Sequence, residues 1–176
     1  MGDIDDVDAH DDFYDEDEDT QKDKYLTFRL GKEDFGVEIK YVTEIIGIQK
    51  ITPVPDLPEF IIGVINLRGN VIPVMDVRRR FHLEPKEYTD RTCIIVVDMN
   101  ETSIGLVVDE VSEVAVIPES QVDPPPKVHK SGTHKYIQGL GKIDENVKII
   151  LDVDRLLFEE EIEMIANLSH SETQGT

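Results

Sequence analysis

The chain has 176 residues, 39% of them hydrophobic, enough for one domain or two small ones with a packed core. Its formal net charge of −20 argues against nucleic acid and anionic membrane surfaces as direct partners. It has no Trp to anchor an interface, and its single Cys, Cys93, excludes an intramolecular disulfide and suits a reducing compartment.

Residues 1–24 hold twelve acids, Asp3 to Asp23, against Lys22 and Lys24. About half of the excess charge therefore lies in one stretch. Nearly free of apolar residues, it cannot bury enough surface to offset its ordering entropy and is expected to be disordered. It lacks the central Gly and terminal Glu of an EF-hand calcium loop. No basic region precedes an apolar one, so no secretory signal is expected. No apolar run reaches the roughly 20 residues that a membrane helix needs. The sequence therefore reads as that of a cytoplasmic protein.

Structure is predicted from Tyr25 onward. Leu26, Phe28 and Leu30 alternate with Thr27 and Arg29, the pattern of a half-buried strand. A turn at Gly31–Asp34 leads to a return strand, Phe35–Ile39, and the pair reads as a hairpin. The three prolines of Ile51–Pro58 exclude a long helix or a central strand there. Gly63–Val77 reads as a second hairpin, with Gly69-Asn70 supplying the positive φ of its turn and Arg68 at its tip. Val71–Val77 is apolar except for Asp76, which predicts burial on both faces. Asp76 is placed to cap a short helical turn ending near Phe81. The polar stretch Glu84–Asp90, with Pro85, marks an internal boundary. Leu157, Ile162, Ile165 and Ala166 then approximate a helical stripe, with acids in its first turns.

The order of events recurs after the boundary. Gly36, Val37, Ile39, Val42, Glu44 and Ile45 match Gly105, Leu106, Val108, Val111, Glu113 and Val114, each 69 residues on. Gly63, Asn70, Val71, Asp76 and Val77 match Gly139, Asn146, Val147, Asp152 and Val153, each 76 residues on. The difference of 7 is a longer proline-rich connection in the second copy. Two copies of one all-β unit follow, each with about five short strands, a pattern that suits small barrels around a shared core. The first strand can cross into the second barrel.

Catalysis needs a convergent nucleophile, base and stabiliser, and none is legible. Cys93 opens the apolar run Cys93–Val97, where a buried thiol is a poor nucleophile and packs the core. His10, His82, His129, His134 and His170 have no metal-ligand spacing, and His129 and His134 flank a loop-like stretch. Gly139-Leu140-Gly141 lacks the rest of a phosphate-binding loop. Asp76 and Asp152 resemble an acid pair, but the repeat makes both caps. No catalytic residue, cofactor or metal is assigned. The alternatives that remain are a binding surface and a hydrolase acting through Cys93 or the Asp pair. Where the copies agree, structure is the simpler cause, so Glu44 and Glu113 each finish a strand. Where they differ, function is the better one: the tip charge reverses from Arg68 to Asp144.

Asn66-Leu67-Arg68-Gly69, followed by Ile72-Pro73-Val74-Met75-Asp76-Val77-Arg78, resembles the signature of the CheW family of chemotaxis coupling proteins. Phe60–Val64, Gly105–Val111 and Tyr136–Gly141 extend the resemblance in the same order. It implies an all-β fold of two SH3-like five-stranded β-barrels with a short C-terminal helix. The expected division is a tail over 1–24, a CheW-like domain over 25–168 and a frayed end over 169–176. Within the domain, the first barrel spans about 25–88, the second about 89–158 and the helix about 159–168. The resemblance implies a non-enzymatic adaptor between methyl-accepting chemoreceptors and the histidine kinase CheA, recruited to receptor arrays without touching the membrane. The receptor would lay the tip of a helical hairpin in an apolar groove between the barrels, and CheA would pair through its regulatory domain. The alternatives are a detached CheW-like regulatory domain of such a kinase, or an unrelated β-barrel peptide-binding module. By motif position, Arg68 in its Asn66–Gly69 turn contacts a partner, with Glu44 and the neighbouring Val42 as further candidates. Gly63 acts through close backbone approach. Val107, Val108 and Val111 either line the groove or pack the core.

Overall fold

The computed structural model describes residues 21–99, 102–125, 135–157 and 161. The acidic stretch up to residue 20, the helix expected over about 159–168 apart from Glu161, the end over 169–176, and His129 and His134 lie outside the described residues. The strands are β1 (Lys24–Leu30), β2 (Glu33–Glu38), β3 (Val42–Gly47), β4 (Ile61–Leu67) and β5 (Asn70–Asp76), followed by the one-turn helix α1 (Val77–Arg80). Then come β6 (Cys93–Met99), β7 (Thr102–Val108), β8 (Glu110–Val116), β9 (Val122–Asp123), β10 (Ile137–Ile143) and β11 (Asn146–Leu151).

These strands form a five-stranded sheet, β3-β6-β7-β5-β4, and a six-stranded one, β8-β1-β2-β11-β10-β9. The all-β, two-module expectation holds. The sheets do not follow the contiguous halves 25–88 and 89–158, however. The β1–β2 hairpin belongs to the sheet of the second half, and the β6–β7 hairpin to the sheet of the first. Two parallel pairings join the exchanged hairpins to their hosts: Phe35 and Gly36 with Ile149 and Ile150, and Val74 to Asp76 with Gly105 to Val107. Neither sheet closes by hydrogen bonding, since β3 and β4 end one and β8 and β9 end the other. Local pattern specifies a strand and its buried face; it does not specify which strand completes the sheet.

Alternation places apolar residues on both faces of both sheets. Leu26, Phe28, Val37, Ile95, Val97, Leu106 and Leu151 point into a central core between the sheets. Ile65, Ile72, Val74, Ile94, Val96 and Val107 fill a lateral core on the outer face of the five-stranded sheet. Tyr25, Ala115, Ile117 and Ile150 form a smaller one on the other sheet. This explains the nearly unbroken apolar run of β5, whose Ile72, Pro73, Val74 and Met75 are all buried. A row of rings crosses the central core: Phe28 stacks 5.8 Å from Phe35, Phe35 lies tilted 5.8 Å from Phe81, and Phe81 stacks 5.5 Å from Tyr136.

Three polar devices hold the strand ends. Asp76 caps α1, its carboxylate accepting from the backbone N–H of Arg78 at 3.0 Å and of Arg79 at 3.4 Å. Asp152 does the same for Asp154 N–H at 3.1 Å. Asp109, between β7 and β8, accepts from Arg78 Nε at 2.8 Å, Arg78 Nη2 at 2.6 Å and Gly31 N–H at 2.7 Å. It thereby ties α1 and the β1–β2 turn to the corner that enters β8. Arg80 is 6% exposed, with Nε donating to the Leu156 carbonyl at 2.9 Å and Nη2 to Glu161 at 2.9 Å. Its guanidinium lies 4.0 Å from the Phe60 ring centre and 4.8 Å from that of Tyr136. The arginine thus pins the end of the described chain against the first half.

Because each half lacks a hairpin of its own sheet, fragments 1–88 and 89–176 expressed separately should show no cooperative unfolding. Mixed in equal amounts, they should regain β-sheet circular dichroism; a fragment that melts cooperatively alone would contradict the exchange. Burial alone would raise the Asp109 carboxyl, but hydrogen bonds from Arg78 and Gly31 outweigh it and hold the group below its ordinary value. A carboxyl that titrates lower when folded contributes stability in full above pH about 4 and loses it as pH falls through the lowered value. Asp109→Asn should therefore flatten the acid side of stability against pH in urea unfolding, whereas a curve parallel to wild type would remove this linkage.

Candidate functional site

The β4–β5 hairpin closes with Leu67 opposite Asn70. Its central residues are Arg68 at φ 53° and Gly69 at φ 87°. Two positive φ values in a two-residue turn match the right-handed twist of the flanking strands. The positive-φ pair is therefore Arg68-Gly69, one residue earlier than the expected Gly69-Asn70, because Asn70 is already paired in the ladder. The carboxamide oxygen of Asn66 accepts from Gly69 N–H at 2.8 Å and steadies the turn.

From this tip Arg68 reaches Glu44 on β3. Nη1 donates to Oε1 at 3.1 Å, and Nη2 donates to Oε2 in a second, parallel bond. β3 and β4 are opposite ends of the five-stranded sheet, so the pair spans two open edges that curl towards each other. Ile46, Ile48, Ile51, Ile62 and Leu67 pack against the lateral core of the same sheet. An ion pair and apolar packing thus hold a seam that carries no strand pairing. The hydrogen bonds from Arg68 hold the Glu44 carboxyl below its usual range, although both groups face solvent. Glu44 does not finish a strand; it sits within β3, as Glu113 sits within β8. In the second copy the matching positions are Glu113 and Asp144, two acids that cannot form such a pair.

Gly63 lies at a register shift in β4 with φ 154°. An added Cβ would run into the carbonyl oxygen of Thr52, whose backbone pairs with Val64 at 2.8 and 2.9 Å. Gly139 occupies the same place in β10, where a Cβ would lie 2.9 Å from the Asp123 carbonyl oxygen. Val42 opens β3 and packs, half-buried, against the central core, as does Val111 at the start of β8. Val107 is 4% exposed in the lateral core and Val108 1% exposed in the central core, so neither lines an open groove. The structure therefore joins Arg68, Glu44 and Asn66 at the seam, with Val42 on β3 beside Glu44 and Gly63 on β4, three residues before Asn66.

Sequence reasoning missed Ile45, 45% exposed beside Glu44, and the exposed Val114 and Val116 on β8. The signal was available, since Ile45 and Val114 are repeat equivalents on edge strands. It also placed Cys93 in the core. Cys93 is the first residue of β6, only partly buried, with Sγ donating to the Arg91 carbonyl at 3.0 Å. An apolar run does not specify how deep its first residue lies. Asp76 and Asp152 each hold their own backbone N–H groups. Among the described residues, no three His, Cys, Asp or Glu side chains converge in a way that could hold a metal ion.

A two-sheet β-module whose distinctive surface group is an ion-paired arginine at a hairpin tip is, by class, an interaction domain. Residues 24–161 match the CheW-like domain, and the chain belongs to the CheW family. It is 35% identical over 148 residues to the chemotaxis protein CheW of Klebsiella aerogenes, covering 84% of this chain and 89% of that one. Against CheW of Bacillus subtilis the identity is 33% over 137 residues, covering 78% and 88%. The crystal structure of the scaffolding protein TtCheW from Thermoanaerobacter tengcongensis superposes with a TM-score of 0.73 at 36% identity, covering 79% of this chain and 94% of that one.

Gly63→Ala should lower stability by about 1–3 kcal/mol, the range of a strained backbone contact, read from the urea midpoint. An unchanged midpoint would show that the segment at Thr52 yields freely.

Proposed function

We infer that this chain is a non-enzymatic coupling protein linking the cytoplasmic tips of methyl-accepting chemoreceptors to the regulatory domain of the histidine kinase CheA. The observation that carries this reading is the Arg68–Glu44 seam, which the first copy has and the second, with Glu113 and Asp144, lacks. A purely structural device would be expected in both. The names of the relatives, matched along 86–89% of the length of several CheW proteins, support a role in chemotaxis.

The physical logic is that of a positioned rim charge beside apolar surface. Glu44 holds the long Arg68 side chain in one orientation, which lowers the entropy lost on docking. Ile45 next to it offers an apolar contact suited to the apolar face of a helix, and Val114 and Val116 are exposed on β8 of the other sheet. Among the described residues no helix is long and apolar enough to cross a membrane. In this reading the receptor tip recruits the chain to the array.

The test is co-sedimentation of the full chain with a receptor cytoplasmic fragment and CheA. The wild type should sediment with them, and absence of binding by folded protein would sink the adaptor reading. Arg68→Ala should weaken binding by about tenfold, the effect of losing one charged anchor, and leave the melting temperature unchanged. The charge swap Arg68→Glu with Glu44→Arg should restore the seam but not the binding. Recovery of binding by the swap would make the pair structural.

A further inference from the structure

The hairpin tip that carries Arg68 is built differently from its repeat equivalent. Arg68 stands at φ 53°, and Asp144, 76 residues on, at φ 54°. Each opens a two-residue turn, between Leu67 and Asn70 in one hairpin and between Ile143 and Asn146 in the other. Aspartate tolerates this left-handed backbone because its short polar side chain bonds locally, and arginine has no such compensation. The second tip thus holds a residue suited to its conformation, and the first holds one that is not.

What the first tip has instead is Asn66, whose carboxamide oxygen accepts from Gly69 N–H at 2.8 Å. The residue at this place in the second hairpin is Lys142, whose ammonium has no acceptor and which pairs with Asp123 at 3.2 Å. A left-handed tip therefore forms without a bond of the Asn66 kind, so the hairpin itself does not require one. Asn66 also lies exposed in β4, opposite Val71, and asparagine is a poor strand former. Neither the strand nor the turn calls for it; the arginine does. The other side of the seam is fixed separately. Thr43, at the register shift in β3, donates to the Val96 carbonyl at 3.1 Å and pins the bulge next to Glu44. With Glu44 held from its own strand, the turn decides whether the guanidinium meets both carboxylate oxygens. Glu44 takes two of the five guanidinium N–H donors, and the Arg68 side chain is 70% exposed, which leaves three donors for a partner.

We infer that Asn66 is a positioning residue: its bond to Gly69 lets an arginine hold the left-handed place at the tip and aims that arginine so that Glu44 and a partner's acceptor group share it. The partner's share rests on the reading of Arg68 as a partner contact. The arrangement in the free protein rests on the geometry of the two tips alone.

The test is NMR of the full chain, in which a strong contact between the amide and α protons of residue 68 reports its positive φ. Asn66→Ala should lose that contact, and Asn66→Asp, which keeps the acceptor oxygen, should retain it. Asn66→Ala combined with Arg68→Asn should retain it too, because asparagine takes the left-handed backbone unaided. Retention in Asn66→Ala alone would overturn the inference. Loss in both the single and the double variant would make Asn66 a plain turn residue, whatever stands at the tip, and overturn it as well. Hydrogen bonds from Arg68 hold the Glu44 carboxyl low, so Asn66→Ala should bring its titration back up towards the ordinary value, and an unmoved titration would count against the inference. In co-sedimentation with a receptor cytoplasmic fragment and CheA, Asn66→Ala should weaken binding about fivefold, the shift in tip population that one net hydrogen bond commands. Wild-type binding by Asn66→Ala, beside weakened binding by Arg68→Ala, would overturn the positioning role. Were Arg68→Ala also to bind as wild type, the contact reading would fail, and the NMR measurements would still decide whether Asn66 places the arginine.

Discussion

The rest of this molecule depends on one constraint: both of its sheets are apolar on both faces. A sheet of that kind is stable only when each face is covered. The central core covers the inner faces, and two lateral cores cover the outer ones. Exchange of the β1–β2 and β6–β7 hairpins makes each half supply strands to the other's sheet. The boundary at Glu84–Asp90 is therefore a joint between repeats and not between independent bodies. Arg80, held by Leu156, Glu161, Phe60 and Tyr136, adds a polar tie in the same sense, from α1 in the first half to the end of the second.

Within this shared scaffold the copies have diverged at their open edges. Where one has Arg68 and Glu44 bonded across a seam, the other has two acids. Where one packs Ile62, Ile94 and Val107, the other has Gln138, Tyr25 and Glu38 around a polar groove. Duplication supplies the stable frame, and the edges carry the differences, because a charge there costs little while a charge inside the cores costs much. A protein that works by contact gains two unlike surfaces from one repeated unit.

Much of the local structure was legible in the residues. The caps Asp76 and Asp152, the two hairpins around the repeat glycines, and the double-sided burial of β5 follow from local chemistry, and local chemistry is what a sequence displays. The crossing of the first strand into the second barrel was anticipated, but the exchange of whole hairpins was not legible, because β2 and β7 have the same apolar alternation whichever strand they join. Nor was the one-residue turn position, since Arg68 is an uncommon residue at positive φ and Asn70 an expected one. Arg68 and Glu44 were each picked out by motif. Their bond was not, because it spans the first and last strands of a sheet whose order the sequence does not print. Val107 and Val108 read as either groove or core residues and are core ones, since a run of valines reads alike on either side of a wall.

The parallel pairing of β2 with β11 has a consequence for synthesis. The five-stranded sheet has all its strands once residue 108 has left the ribosome, whereas the other must wait for residue 151. During that interval β8 joins the early-made β1–β2 hairpin from residue 116, but its other side has no β11, and Phe35 waits for a partner at Ile149. Contacts so distant in sequence slow folding and leave apolar strand edges exposed meanwhile. The earliest-made hairpin of this chain is thus among the last to be secured, and a nascent chain stalled between those points would present it to chaperones or to a neighbouring copy on the same message.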